Sequence, residues 1–238
     1  MLSLFFVLNF LYININLKKY TNMRLINASY EILSNIDSNQ ILKNIETAGR
    51  TCYKSEDKIT ETSCIDFCKM LLSRNHEAMI EHGGMISVKF IVDRGVSHEI
   101  VRHRLFSFAQ ESTRYCNYAK DKFDNQITFI IPNWMPDVMP GIYTGVATML
   151  TWVLAMEQSE IYYNRLISNG WQPQQARSVL PNSLKTEVVV SGNPREWRHF
   201  FKLRTATVAH PQMREVAIPL LKEMQERIPI LFDDIEIK

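Results

Sequence analysis

The stretch TEVVVSGNPREWRHFFKLR, residues 186–204, changes its periodicity in the middle. Its first part, TEVVVSG at 186–192, is rich in β-branched residues and reads as a strand. Asn193, Pro194 and Glu196 then fall at the cap, first and third positions of a helix. An Asn side chain can accept from an early backbone amide there, proline presets the helical φ, and a third-position glutamate completes the start signal. A strand therefore feeds directly into a helix.

The same two periods recur on both sides. Ile41, Leu42, Ile45 and Ala48 predict a helix over 38–48, and a second helix is predicted from about Glu61 to Arg74. MISVKFIV at 85–92 alternates, with Ile86, Val88, Phe90 and Val92 on one face. Ser97 can cap a helix beginning at His98. ITFIIP at 127–132 reads as a short strand stopped by Pro132. A long helix is expected over 142–168, ended by Gly170 and Pro173, with a short helix over 173–180. The last helix carries Met213, Val216, Ala217, Leu220, Leu221 and Met224 on one stripe, with Pro219 expected to bend it. Helices and strands mix without regular β-α-β alternation. The predicted class is α+β, a mixed or antiparallel sheet flanked by helices.

The 238 residues are 46% hydrophobic and 22% charged, the balance of a globular chain with a real core. A net charge of +2 is too small to imply nucleic-acid binding, so an anionic ligand must be met by a local cluster. Cys52, Cys64, Cys68 and Cys116 form no C-x-x-C pair. Cys64 and Cys68 fall on the apolar face of the second helix beside Phe67, and reduced packing cysteines fit a cytoplasmic protein. Residues 1–22 are expected to be an apolar leader, dispensable or an over-extended start, with the functional domain spanning 23–238. No basic residue precedes the leader's apolar part, no small-residue cleavage site follows it, and asparagines interrupt it, so a signal or anchor reading is weaker and no membrane partner is expected.

Geometry dismisses several chemistries. HEIVRH at 98–103 resembles a zinc-protease motif, but His98 and His103 are one residue too far apart to share a helix face, and no metal site is expected. None of the eight glycines forms a phosphate-cradling loop, so side chains must meet any nucleotide, and the planar arginine fork suits that task. No nucleophile elbow supports a hydrolase.

Arginines do recur in apolar surroundings. Arg102, His103 and Arg104 stand side by side, flanked by Ile100, Val101, Leu105, Phe106 and Phe108. On a helix their side chains would point in three directions, toward different ligands or subunits. Arg177, Arg195, Arg198 and Arg204 repeat the theme. Buried arginine needs an anion, so either protein carboxylates or a ligand must neutralise them.

RHRLFSFAQESTRY, residues 102–115, resembles the signature of flavin-dependent thymidylate synthases: R-H-R, seven residues, then Ser. RNHEAMIEH upstream, and ARSVLPNSLKTE and NPREWRHFFKLRTATVAHPQMREVA downstream, resemble that family's other blocks in the family's order. The resemblance runs from about Met23 to the C-terminus. It implies a single domain assembled as a homotetramer, with sites built from several subunits. It implies transfer of the methylene of 5,10-methylenetetrahydrofolate to C5 of dUMP, giving dTMP, with reduced FAD as hydride source and NADPH recharging the flavin. FAD contacts are implied for His76, Ala78 (through its backbone), Arg102, His103, Arg104, Gln110, Asn193, Arg195 and His199. dUMP contacts are implied for Glu99, Arg102, Gln110, Glu111, Ser112, Thr113, Arg114 and Arg177. Arg204 matches the arginine that activates the uracil ring, and a fixed guanidinium on the N3–C4–O4 side suits developing negative charge. Cys116 is read as packing and Ser112 as a hydrogen-bonder, not nucleophiles. Three positions depart from the family pattern: Gln110 where Glu is common, Ala78 for Ser or Thr, and His199 for Asn. Two rival readings are a nucleic-acid-binding helix over 98–108 and an inactive relative of the family.

Overall fold

The computed structural model of the chain describes residues 23–120, 123–124, 126–135 and 143–237. The predicted leader, 1–22, lies outside them. In chain order the elements are β1 (Arg24–Ile26), β2 (Ser29–Ile32), α1 (Ser38–Tyr53), α2 (Ser63–Ser73), β3 (Ile86–Asp93), α3 (Arg94–Ile100), β4 (Ser107–Gln110) and β5 (Thr128–Ile130). They continue with α4 (Tyr143–Ser168), α5 (Pro173–Ala176), β6 (Lys185–Gly192), α6 (Pro194–Arg204), α7 (Pro211–Arg227) and α8 (Pro229–Phe232). Sheets flanked by helices bear out the α+β expectation. The described residues fall into two compact units, one of residues 28–110 and 186–237, the other of residues 23–27 and those described between 111 and 185.

The first unit is built on a four-stranded sheet in the order β2-β3-β6-β4. β2 pairs antiparallel with β3 (Tyr30 opposite Phe90), and β4 antiparallel with β6 (Phe108 opposite Val190). The alternation predicted for β3 holds: Ile86, Val88, Phe90 and Val92 are all buried. They meet Leu42 and Ile45 of α1, Phe67 and Leu71 of α2, and the predicted stripe of α7, every member of which is buried. Cys64 and Cys68 lie in this core, and burial pushes the Cys68 thiol up to about 12, which makes it inert packing. α1 runs five residues beyond the predicted 38–48 and stops where Lys54 turns left-handed (φ 48°). α6 begins as its sequence predicts, with Asn193 Oδ1 accepting from the Glu196 amide at 3.0 Å.

One expected element is corrected. The helix drawn from His98 to 108 under a Ser97 cap is instead α3, Arg94–Ile100. Its cap is Asp93, whose Oδ1 accepts from the Val96 amide at 2.8 Å. Ser97 is buried inside the helix and donates to the Arg94 carbonyl at 2.9 Å. The Arg102–His103–Arg104 triplet lies in the turn that follows, and Ser107–Gln110 is a strand. A continuous helix would give the triplet no single buried face. The alternation of Ser107, Phe108, Ala109 and Gln110 finds partners on β6 instead.

The second unit pairs β1 with β5 in parallel, Leu25 opposite Phe129. Tyr118, Ile127, Phe129, Met156, Tyr163, Ala176 and Leu184 form its core, with Cys116 packed at the edge as expected. Ile127 is anchored by its amide, which donates to Glu160 on α4 at 2.9 Å. α4 ends near Gly170, whose φ of 89° is the left-handed conformation that favours glycine. The predicted 173–180 helix is α5 followed by a 3-10 turn at Arg177–Val179.

Candidate active site

In the first unit, three segments bring their sequence-singled residues together: the 3-10 turn Glu77–Gly83, the 101–106 turn and α6. Phe106 docks the second of these. Its ring lies 4.7 Å from that of Trp197, and so close over Gly192 that an added Cβ would sit 2.1 Å from it. Only glycine at the end of β6 permits this approach. Trp197 is locked in turn by donating from Nε1 to the Ile86 carbonyl at 3.0 Å.

This docking sorts the R-H-R triplet. Arg102 and Arg104 are exposed and make no ion pair among the described residues, while His103 is buried with 7% of its surface accessible. The His103 ring packs against Phe200 (5.1 Å), His199 (5.9 Å) and Phe106 (6.0 Å). Its Nε2 accepts from Arg204 Nε at 2.9 Å. Burial first, then the Arg204 charge and His199, pushes its pKa down to about 4, so it is a neutral imidazole near pH 7. Arg204, half-buried at the end of α6, also donates from Nη1 to Glu99 Oε2 at 2.9 Å and from Nη2 to the Glu99 carbonyl at 3.0 Å. Glu99, expected at a substrate, thus touches the residue expected to be catalytic.

Gln110 donates from Nε2 to Ser97 Oγ at 2.9 Å and to Thr186 Oγ1 at 3.2 Å. These bonds leave its carbonyl to a ligand. His199 is exposed one helical turn from Arg195, and Arg195 pairs with Glu81. His76, exposed, precedes the 3-10 turn that carries Ala78, also exposed, and Glu81. Asn193 spends its carbonyl on the α6 cap. Arg198 is different in kind. It is buried at 2% exposure and grips Asp234 with both terminal nitrogens at 2.6 Å each. It also donates to the Leu231 carbonyl and, at 3.4 Å, to Glu77, which in turn accepts from Lys202 at 3.1 Å. Glu77, Glu81 and Asp234 were not singled out from sequence. A glutamate's partner in another segment leaves no local periodic signal.

In the second unit, Arg177 donates from Nη1 to Thr113 Oγ1 at 3.0 Å. Ser112 Oγ accepts from the Arg114 amide at 3.3 Å, and the Arg114 guanidinium stacks 5.4 Å over the Tyr115 ring. Arg114 and Arg177 are both exposed. Glu111 is engaged internally, accepting from Lys185 Nζ and the Tyr118 hydroxyl at 3.0 Å each. No three His, Cys, Asp or Glu among the described residues are placed to hold a metal ion.

Residues 35–230 match the family model described as thymidylate synthase complementing protein. A flavin-dependent thymidylate synthase of Corynebacterium aurimucosum is 34% identical over 203 residues, covering 81% of this chain and 79% of the relative. One from Corynebacterium glutamicum is 31% identical over 211 residues, covering 82% and 79%. The fold matches that of the UMP/dUMP methylase PolB of Streptomyces cacaoi, solved with 5-Br dUMP, at a TM-score of 0.71 and 22% identity, over 89% of this chain and 96% of that one. With the family model spanning most of the chain and its ordered arginine blocks folded into these clusters, the chain belongs to the family of flavin-dependent thymidylate synthases.

Proposed function

We propose that the protein makes dTMP from dUMP, taking the carbon from 5,10-methylenetetrahydrofolate. The observation that carries this reading is Arg204, a guanidinium held at three points with two of its five N–H groups left over. Those groups are suited to uracil O4 and N3, where negative charge builds as C5 becomes nucleophilic. In the second unit, exposed Arg114 and Arg177 are donors suited to a nucleotide phosphate, with Thr113 orienting Arg177. Ser112 and the Gln110 carbonyl supply further hydrogen bonds.

The residues fit FAD. Arg102 and Arg104 are exposed cations with no ion pair among the described residues, as a pyrophosphate requires, and His76, His199 and Arg195 add donors on adjoining segments. FAD, when bound and reduced, supplies the hydride and is recharged by NADPH. The chain's share is to orient and to place positive charge. Neutral His103, buried behind these groups, accepts from Arg204, and its flavin contact is restricted to whatever ring edge remains. Assembly as a homotetramer with shared sites is supported by exposed Leu105 (75%) and Val208 (93%), apolar side chains close in sequence to site arginines. No helix among the described residues is long and apolar enough to cross a membrane. The rival groove-binding helix over 98–108 loses its element, since the helix ends at Ile100 and a turn and a strand follow.

The test is dTMP formation from dUMP, methylenetetrahydrofolate and NADPH, with and without added FAD. Product that depends on FAD is expected. No product from folded, FAD-loaded protein would overturn the reading in favour of an inactive relative.

A further inference from the structure

We infer that Glu99 and His103 are positioning residues, which hold the Arg204 guanidinium in one orientation from two sides. The inference rests on the reading of Arg204 as the group that activates the uracil ring. Three acceptors engage three different nitrogens: His103 Nε2 takes Nε, Glu99 Oε2 takes Nη1 and the Glu99 carbonyl takes Nη2. A planar guanidinium paired at one edge can still pivot. Bonds spread over all three nitrogens remove that freedom, and the N–H groups left on Nη1 and Nη2 become a fixed fork.

Both holders are themselves rigid. The Glu99 carbonyl belongs to the last turn of α3 and also accepts from the Arg102 amide at 3.2 Å. His103 is wedged between Phe106 and Phe200 and cannot swing without opening the core. Its Nε2 can accept only when unprotonated, which places the ring proton on Nδ1. Burial and the adjacent cation maintain that neutral form. Because a misplacement of about 1 Å can cost on the order of a hundredfold in rate, such clamping acts on kcat more than on substrate binding.

The experiment compares Glu99→Ala, Glu99→Gln, His103→Phe and His103→Gln at saturating FAD, with Arg204→Ala alongside. His103→Phe keeps an aromatic body in an aromatic pocket but removes the acceptor. It and Glu99→Ala are expected to lower kcat by roughly thirtyfold with KM for dUMP within about threefold, and the Gln variants, which keep an acceptor, to recover most of that loss. On the unmodified enzyme, 15N NMR should find His103 as the neutral Nδ1–H form at pH 7, with Nε2 losing its hydrogen-bond shift in Arg204→Ala. If Arg204→Ala were inactive while Glu99→Ala and His103→Phe turned over normally, the positioning roles would fall and Arg204's would stand. If Arg204→Ala itself turned over, the activation reading would fall, while the 15N shift would still decide the contact. A His103 imidazolium at pH 7 would overturn the clamp outright.

Discussion

Arg198 and Arg204 share α6 and the same residue type, but the structure treats them in opposite ways. Arg198 presents no donor to a ligand: both terminal nitrogens meet Asp234, Leu231 and Glu77 take their other protons, and its Nε–H, which has no partner, is buried. Its charge is spent on tying the C-terminal segment to the core. Arg204 is held by one carboxylate, one carbonyl and one neutral imidazole, and keeps two N–H groups. The difference teaches that semi-buried arginine is ambiguous until its acceptors are counted. A closed shell means architecture; a shell with a defined opening means a site.

The sharpest break of this comparison is to remove each arginine in turn. Arg204→Ala should lower kcat by at least a hundredfold, the scale of losing a preorganised charge donor, while FAD still binds and Tm hardly moves. Turnover within about tenfold of the parent, a loss under 1.4 kcal/mol, would place its role elsewhere. Arg198→Ala should do the reverse. Losing a packed, buried side chain and its ion pair costs about 3 kcal/mol, read as a fall in urea midpoint, with the specific activity of the remaining folded protein preserved. Arg198→Met, which refills the space, should recover much of that loss if packing rather than charge is what matters.

A good part of this was legible from sequence. The β6-to-α6 passage is legible because its signals are local: β-branched alternation, then Asn193, Pro194 and Glu196 at fixed offsets. The α7 stripe and the β3 alternation were legible for the same reason. The 98–108 segment misled because Ser97 resembles a cap, although Asp93 at the strand's end is the one that acts. Which arginine is closed and which open was not readable, because Asp234, Glu81 and Glu99 meet their arginines across long sequence separations. Likewise nothing local announced that Gly192 must be bare to admit Phe106.

The neutral His103 sharpens the contrast through pH. Its folded pKa, about 4, lies below its ordinary value of 6.5, so the unfolded chain takes up the proton first as pH falls. The stabilising contribution is complete above about pH 6.5 and is lost on the way down to about pH 4, amounting to about 3 kcal/mol at the acid end. Urea midpoints between pH 7 and 4 should therefore fall more steeply for the parent than for His103→Phe. Parallel curves would mean that His103 is protonated alike in both states. Arg198, which meets carboxylates and a carbonyl, should contribute no such histidine-range slope.

The smallest expected effect tests whether Gln110 is chosen for its amide. Its Nε2 donates to Ser97 Oγ and Thr186 Oγ1, and Ser97 already spends its own proton on the Arg94 carbonyl. A carboxylate at 110 cannot donate, so Ser97 would have to abandon Arg94 or leave the new oxygen facing a lone pair. Gln110→Glu, the residue common in the family, should thus cost about 1 kcal/mol of stability here, seen as a drop of a few degrees in Tm. Adding Ser97→Ala should shrink the penalty, because the contested hydroxyl is gone. If Gln110→Glu left Tm unchanged, the hydroxyls would be free to reorient, and the amide at 110 would owe its place to the ligand side of the site instead.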